Sequence, residues 1–264
     1  MLNYISAELY KLRFHKALYV GVDLLLLAES IIFFPFAWTQ KQFGAQRELL
    51  LAFFDAAIGL GLLFVPCFAV LVFDDQYGHG TLKNEIVYGI PRSRVYFGKL
   101  CAGALAGTGV ALLATVWYFF CTALKTGGPF EGSWKEAGVS LRVLALMWLV
   151  WLSFYSLTFF LLMLTKSTAG ALCGAFLALF LVSPIAMGCW SGGGDLSVGV
   201  RLASELYFTT PMLCMFGGEN TLPKGSIVGW FGLSVTSYSV LVCLLWVVGL
   251  SALGLAVLRR REIK

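Results

Sequence analysis

Six predominantly apolar runs, each longer than twenty residues, partition this chain at short polar segments. They cover residues 17–38, 49–73, 100–124, 141–164, 169–190 and 227–258. A helix needs about 20 such residues to cross the hydrocarbon of a bilayer, so each run is long enough. Only 12% of the residues are charged, against about 25% in soluble domains, so too little polar surface exists to coat a soluble core. Disorder is excluded too, because disordered chains are poor in apolar residues. Helices satisfy their own backbone groups in lipid, and the alternating pattern of a barrel strand is absent. The expectation is an all-α polytopic membrane protein with six transmembrane helices. Its loops are too short for a second folded domain, so residues 1–264 form one transmembrane domain.

Six crossings put both termini on one side, and Lys and Arg choose the side. With the N-terminus inside, 12 cations fall on inner segments and 7 on outer ones, and the inner ones cluster, as in Leu258-Arg259-Arg260-Arg261. Both termini are therefore expected in the cytoplasm, with the chain in the cell membrane. The net charge of +5 does not signal nucleic acid, because the cations are scattered rather than gathered on one soluble face. The first run is too long for a signal-peptide core, carries Asp23 and Glu29 and lacks a small-x-small cleavage site. It is expected to be retained. The seven cysteines show no CxxC spacing and read as small hydrophobes; pairing of Cys189 with Cys214, both near the expected outer face, stays open.

Residues 1–16 place Leu2, Ile5, Leu9 and Leu12 at three- and four-residue steps, on one helix face. Glu8, Lys11 and Lys16 lie largely away from that face. This fits a helix lying in the inner interface, apolar side toward lipid and basic side toward headgroups. It serves either as an anchor or as a lever beside the first span.

Residues 74–99 form the longest inner loop. Asp74 and Asp75 end the second span, and Gly78 and Gly80 interrupt the chain. Thr81 can cap a short helix over Leu82 to Tyr88, and Gly89 followed by Pro91 can end it. Such a helix suits docking into a groove on a soluble partner. The alternative is a solvated turn held near headgroups by Arg92 and Arg94. An acidic residue ending span two, then Gly80-Thr81-Leu82-Lys83, Pro91, Ser93-Arg94 and Lys99 entering span three, resembles the pattern of ABC-2 type transporter permeases. Within that family the branch exporting or conferring immunity to peptides (bacitracin, lantibiotics, phenol-soluble modulins) is the most similar.

The resemblance implies that residues 74–99 are a coupling loop meeting an ATPase subunit. Asp74, Asp75, Gly80, Thr81, Leu82, Lys83, Pro91, Arg92 and Arg94 would carry the coupling. It further implies two ATPase copies holding ATP and Mg, a second permease subunit (a second copy in the homodimer case), and a hydrophobic or amphipathic peptide cargo. The permease contact would involve the first and fifth spans, the fifth being rich in small residues from Ala169 to Ala178.

The chain itself lacks GxxxxGK[ST], the loop that cradles phosphates. No catalytic residue, metal set or cofactor is expected on it. Residues 191–226 contain two apolar stretches too short to span, Leu202 to Phe208 and Met212 to Phe216, separated by Thr209, Thr210 and Pro211. They read as half-helices dipping into the outer leaflet, which needs burial in protein, or as an amphipathic loop lying on the membrane. Arg201 and Glu205 are one turn apart and can pair. The resemblance implies an extracellular gate here, with Glu205 and Pro211 as its residues. Asp23, Glu29 and Asp55 fall inside spans. An acid at that depth faces a cavity or a partner, so they read either as the wall of a substrate path or as acids paired or held neutral. ATP-driven export is the leading function. An ATP-independent channel or secondary transporter, and a ligand-binding immunity or sensor protein, remain the alternatives.

Overall fold

The computed structural model describes residues 2–43, 61–73, 85, 87–126, 134–191, 198–211 and 234–260, and within those residues the apolar runs fold as helices. In chain order these helices are α1 (Leu2–Arg13), α2 (Lys16–Phe43), α3 (Gly61–Phe73), α4 (Arg92–Thr126) and α5 (Trp134–Thr165). They continue with α6 (Thr168–Leu177), α7 (Ser183–Ser191), α8 (Val198–Glu205) and α9 (Val235–Arg260). No strand occurs among the described residues.

Among the described residues, four stretches are long and apolar enough to cross a membrane: Arg92–Trp117, Leu144–Thr165, Thr168–Ala186 and Val235–Arg260. They correspond to the third, fourth, fifth and sixth predicted spans. α2 covers the first predicted span with 28 residues, about 42 Å at 1.5 Å per residue. α3 is the part of the second that lies within the described residues.

The chain divides into two compact units. The first draws on Met1–Asp74 and Phe97–Leu141, and holds α1, α2, α3 and most of α4. Its interior includes Leu12, Leu25, Leu62, Ala69 and Phe73. The second draws on Asp75–Tyr96 and Arg142–Lys264, and is built around α5. Met147, Val150, Phe154, Phe159 and Leu162 of α5 are all buried. Three hydroxyls share that burial, Ser153, Ser156 and Thr158, each donating to the carbonyl four residues back. This local bonding lets hydroxyls sit in an apolar core. Ser153 Oγ also reaches the Cys243 carbonyl of α9 at 3.1 Å, a small-residue cross-helix contact of the kind that packs membrane helices.

The fifth predicted span is not one regular helix. α6 begins at an N-cap where the Ser167 side chain accepts from Gly170 N–H. It then widens into a π turn at Ala178–Val182 before α7. Pro184 follows that turn. Proline lacks an N–H and clashes with the carbonyl four residues back, and a π turn is one way a helix absorbs that clash.

Candidate functional site

At the start of the chain, α1 ends at Arg13 and α2 starts at Lys16. A helix forms where an interfacial one is expected, but Glu8 is not on an exposed side of it. Glu8 is 3% exposed, while Leu2 is 82% exposed. The reason is Lys99 of α4, itself fully buried, whose Nζ donates to Glu8 Oε1 at 3.1 Å. Lys11 Nζ reaches the same oxygen at 2.8 Å. Gly98 makes room for the contact, since a Cβ there would collide with the Tyr4 ring. Lys99 Nζ lies 5.8 Å from the centre of that ring, within cation–π range. Burial raises the Glu8 pKa, but Lys99 and Lys11 outweigh it, and the carboxyl sits below its ordinary value. A charged residue on the apolar side of a helix is therefore neutralised by a partner about 90 residues away in sequence, which no helical periodicity reveals.

The inner loop is described only from Glu85 onward, so Asp74, Asp75, Gly80, Thr81, Leu82 and Lys83 lie outside the described residues. Its C-terminal end is clear. Gly89 has φ +85°, and Ile90 N–H donates to the Glu85 carbonyl at 3.4 Å. Left-handed glycine with a six-to-one bond behind it is the Schellman way of ending a helix. Val87 and Tyr88 are 74% and 86% exposed. Pro91 then opens α4, accepting from Arg94 N–H at 2.8 Å. The Arg94 side chain is exposed, whereas Arg92 folds back. Arg92 Nη1 donates to the Leu258 and Arg259 carbonyls at 3.1 and 2.9 Å. Those carbonyls end α9, where helical partners run out and the dipole is negative.

The segment before the last span is held in protein rather than lying loose on a surface. α8 runs Val198–Glu205 and carries an Arg201–Glu205 ion pair at 3.7 Å. It ends in three consecutive carbonyls, each taken by a side chain. Thr210 Oγ1 donates to Ser204 O at 2.7 Å, Tyr238 OH to Glu205 O, and Trp246 Nε1 to Leu206 O at 2.6 Å. The turn that follows buries Phe208, Thr209, Thr210 and Pro211. Phe208 stacks on Phe154 of α5 at 5.4 Å and meets Trp246 edge-on at 5.4 Å. Tyr207 OH donates to the Ala178 carbonyl in the π turn at 2.8 Å, which Ser183 Oγ also reaches at 3.1 Å. Thr209 Oγ1 is buried with no hydrogen-bond partner among the described residues. The second expected half-helix, Met212 to Phe216, lies outside the described residues, as does Cys214; Cys189 has a free thiol.

Asp23 and Glu29 differ in their surroundings. Asp23 is exposed on the surface of the chain, whereas Glu29 is buried at 6% exposure. Six residues along a helix turn the side chain by about 240°, so the two occupy different faces of α2, and Asp23 is no part of a wall shared with Glu29. Glu29 Oε2 has no hydrogen-bond partner among the described residues. Beside it, Ser30 Oγ accepts from Trp117 Nε1 of α4 at 3.0 Å. Asp55 lies outside the described residues.

Sequence reasoning picked out Arg92, the Arg201–Glu205 pair and Pro211, but not the α9 carbonyls that take Arg92 or the α9 side chain that takes the Glu205 carbonyl. Tyr238 and Trp246 read as ordinary members of an apolar run, and Tyr207 as part of a short apolar stretch. The Ser183-Pro184 pair was the available signal for the widened helix. Among the described residues no cluster of His, Cys, Asp or Glu could hold a metal.

The model of one protein family, described as ABC-2 family transporter protein, matches residues 4–184. No curated protein matches the chain.

Proposed function

The chain belongs to the ABC-2 family of transporter proteins, and on that premise we propose that it is the permease subunit of an ATP-driven exporter. Proteins of this family are membrane subunits without an ATPase site of their own, and their ATPase is a separate polypeptide. Six spans with both termini inside follow from the apolar runs and from the cation count. Two permease copies enclose the path, and two ATPase copies dock beneath the inner loops.

The observation that carries the coupling reading is the Schellman-capped end at Gly89. It presents Val87 and Tyr88 to solvent next to Pro91. Large exposed apolar side chains on a rigid projection are what a partner groove takes up. The cargo is a hydrophobic or amphipathic peptide. Glu29, buried on a helix lined with Leu and Ile, supports a path that tolerates one cationic group within an apolar wall. The turn at 206–211 is the outer gate.

The test is ATP hydrolysis by the co-expressed ATPase and permease in lipid nanodiscs, titrated with amphipathic peptides. Tyr88→Asp, and Leu82→Asp combined with Lys83→Glu, are compared with wild type. Loss of a buried aromatic contact costs about 2 kcal/mol, so Tyr88→Asp is expected to weaken ATPase binding about thirtyfold and to abolish peptide-stimulated turnover while the permease stays folded. Unchanged assembly and turnover in both variants would remove the coupling assignment.

A further inference from the structure

We propose that α9 is a rigid link between the inner loop and the outer turn, and that Arg92 is the positioning residue that attaches the loop to it. The inference rests on the permease reading for its purpose, though not for its geometry. Both attachments lie on one helix within one compact unit. At one end, the Arg92 guanidinium bonds two successive carbonyls of the last α9 turn, Leu258 and Arg259. One turn earlier, the Tyr96 ring lies where a Cβ on Gly254 would be, so α4 and α9 touch backbone to ring. Toward the other end, Tyr238 bonds the Glu205 carbonyl, and Trp246, two turns further along, bonds the Leu206 carbonyl. Tyr238 and Arg259 are about 32 Å apart along the axis at 1.5 Å per residue, the thickness of a bilayer core.

The chemistry at each end suits transmission rather than simple packing. One guanidinium nitrogen, Nη1, donates to both carbonyls, and the planar group that carries it is pre-organised in a way that an ammonium on a flexible stem is not. The favourable dipole at a helix C-terminus strengthens the contact. At the outer turn, the carbonyls of α8 have lost their helical partners. Once Tyr238 or Trp246 moves, those carbonyls lie unpaired among Phe154, Phe208 and Trp246, at a desolvation cost. The turn therefore either follows α9 or opens to water. The Thr209 hydroxyl, buried with no partner among the described residues, gives it a polar group able to bond water. A displacement of Pro91–Arg92 is delivered to residues 204–211 through a helix whose own hydrogen bonds stay intact.

Amide exchange of the permease alone in nanodiscs tests this without any ATPase. Arg92→Gln is expected to raise exchange at the turn amides, including Leu206 and Thr210, by about tenfold, with the amides of α6 unchanged. Arg92→Lys, which keeps the charge and loses the planar guanidinium, is expected to give most of that rise. Arg260→Gln, which removes a neighbouring exposed charge at the same helix end, should leave the turn unchanged. Combining Arg92→Gln with Trp246→Phe should give little more than Trp246→Phe alone, because the link is already cut. Faster exchange confined to the last α9 turn, or fully additive effects, would overturn the link. If the turn responds to Arg92 but no ATPase assembles, the link stands and the exporter reading falls. If Arg92→Gln yields no folded protein, the Arg92→Lys and Trp246→Phe pair carries the same comparison.

Discussion

Removing Lys99 leaves Glu8 with Lys11 as its remaining cation, and removing Glu8 takes from the buried Lys99 the carboxylate to which it donates. Breaking such a pair from one side costs about 3–5 kcal/mol, whereas replacing both members by apolar residues of similar size is often neutral. Glu8→Gln and Lys99→Met are therefore each expected to lower thermal stability in detergent or nanodiscs, and Glu8→Leu with Lys99→Met to restore most of it. Equal losses in the single and double variants would show that the charges themselves do not matter. The pair also sets a pH dependence. Glu8 is held below its ordinary value of 4.5, so the folded state resists protonation more than the unfolded one. Its contribution is complete above about pH 4.5 and is lost as the pH falls through the lower folded value. Exchange at α1 amides should rise over that acidic interval in the wild type, and less so in the double variant. Lys99 was visible in the sequence as a cation entering a span. Glu8 was assigned to the wrong environment, because a helical wheel reports which residues share a face and not what that face meets.

Elements show where local rules sufficed. The helix end at Gly89 follows from glycine's tolerance of positive φ and from Pro91 two residues later. Gly89→Ala places a Cβ on a residue with φ +85°, at a cost of about 1 kcal/mol. Gly89→Asn, better tolerated in that region, should cost less. Co-purification with the ATPase is expected to fall in the order wild type, Asn, Ala; a reversed order would show that the cap does not hold the docking end. The α6–α7 pair shows where local rules were incomplete. Periodicity reports an apolar span from Ala169 to Trp190, but hydropathy is blind to a widened turn, whose signature was a single proline at 184. α8 and its turn were legible as non-spanning and as requiring burial. What satisfies their carbonyls was not legible, since those donors come from Tyr238 and Trp246 in a different run.

For the whole molecule the decisive quantity is the cation asymmetry. It predicts that a fluorescent-protein fusion at Lys264 folds and fluoresces inside the cell, and that a phosphatase fusion at the same point is inactive. The reverse result at a fusion point near Ser191 would complete the expected topology; an active phosphatase at Lys264 would invert it. The sequence alone determined the class of solvent, the helical class, the approximate helix positions and the lack of a nucleotide loop. These depend on composition and on periods of a few residues, which are local properties. Only the tertiary structure decided that Glu8 is buried against Lys99, that Arg92 caps the end of α9 and that the Glu205 and Leu206 carbonyls are held by side chains from α9. Each is a contact between residues far apart in the chain. In a sequence where most positions are apolar, many pairings bury the same surface, and the geometry of a few buried polar groups selects among them.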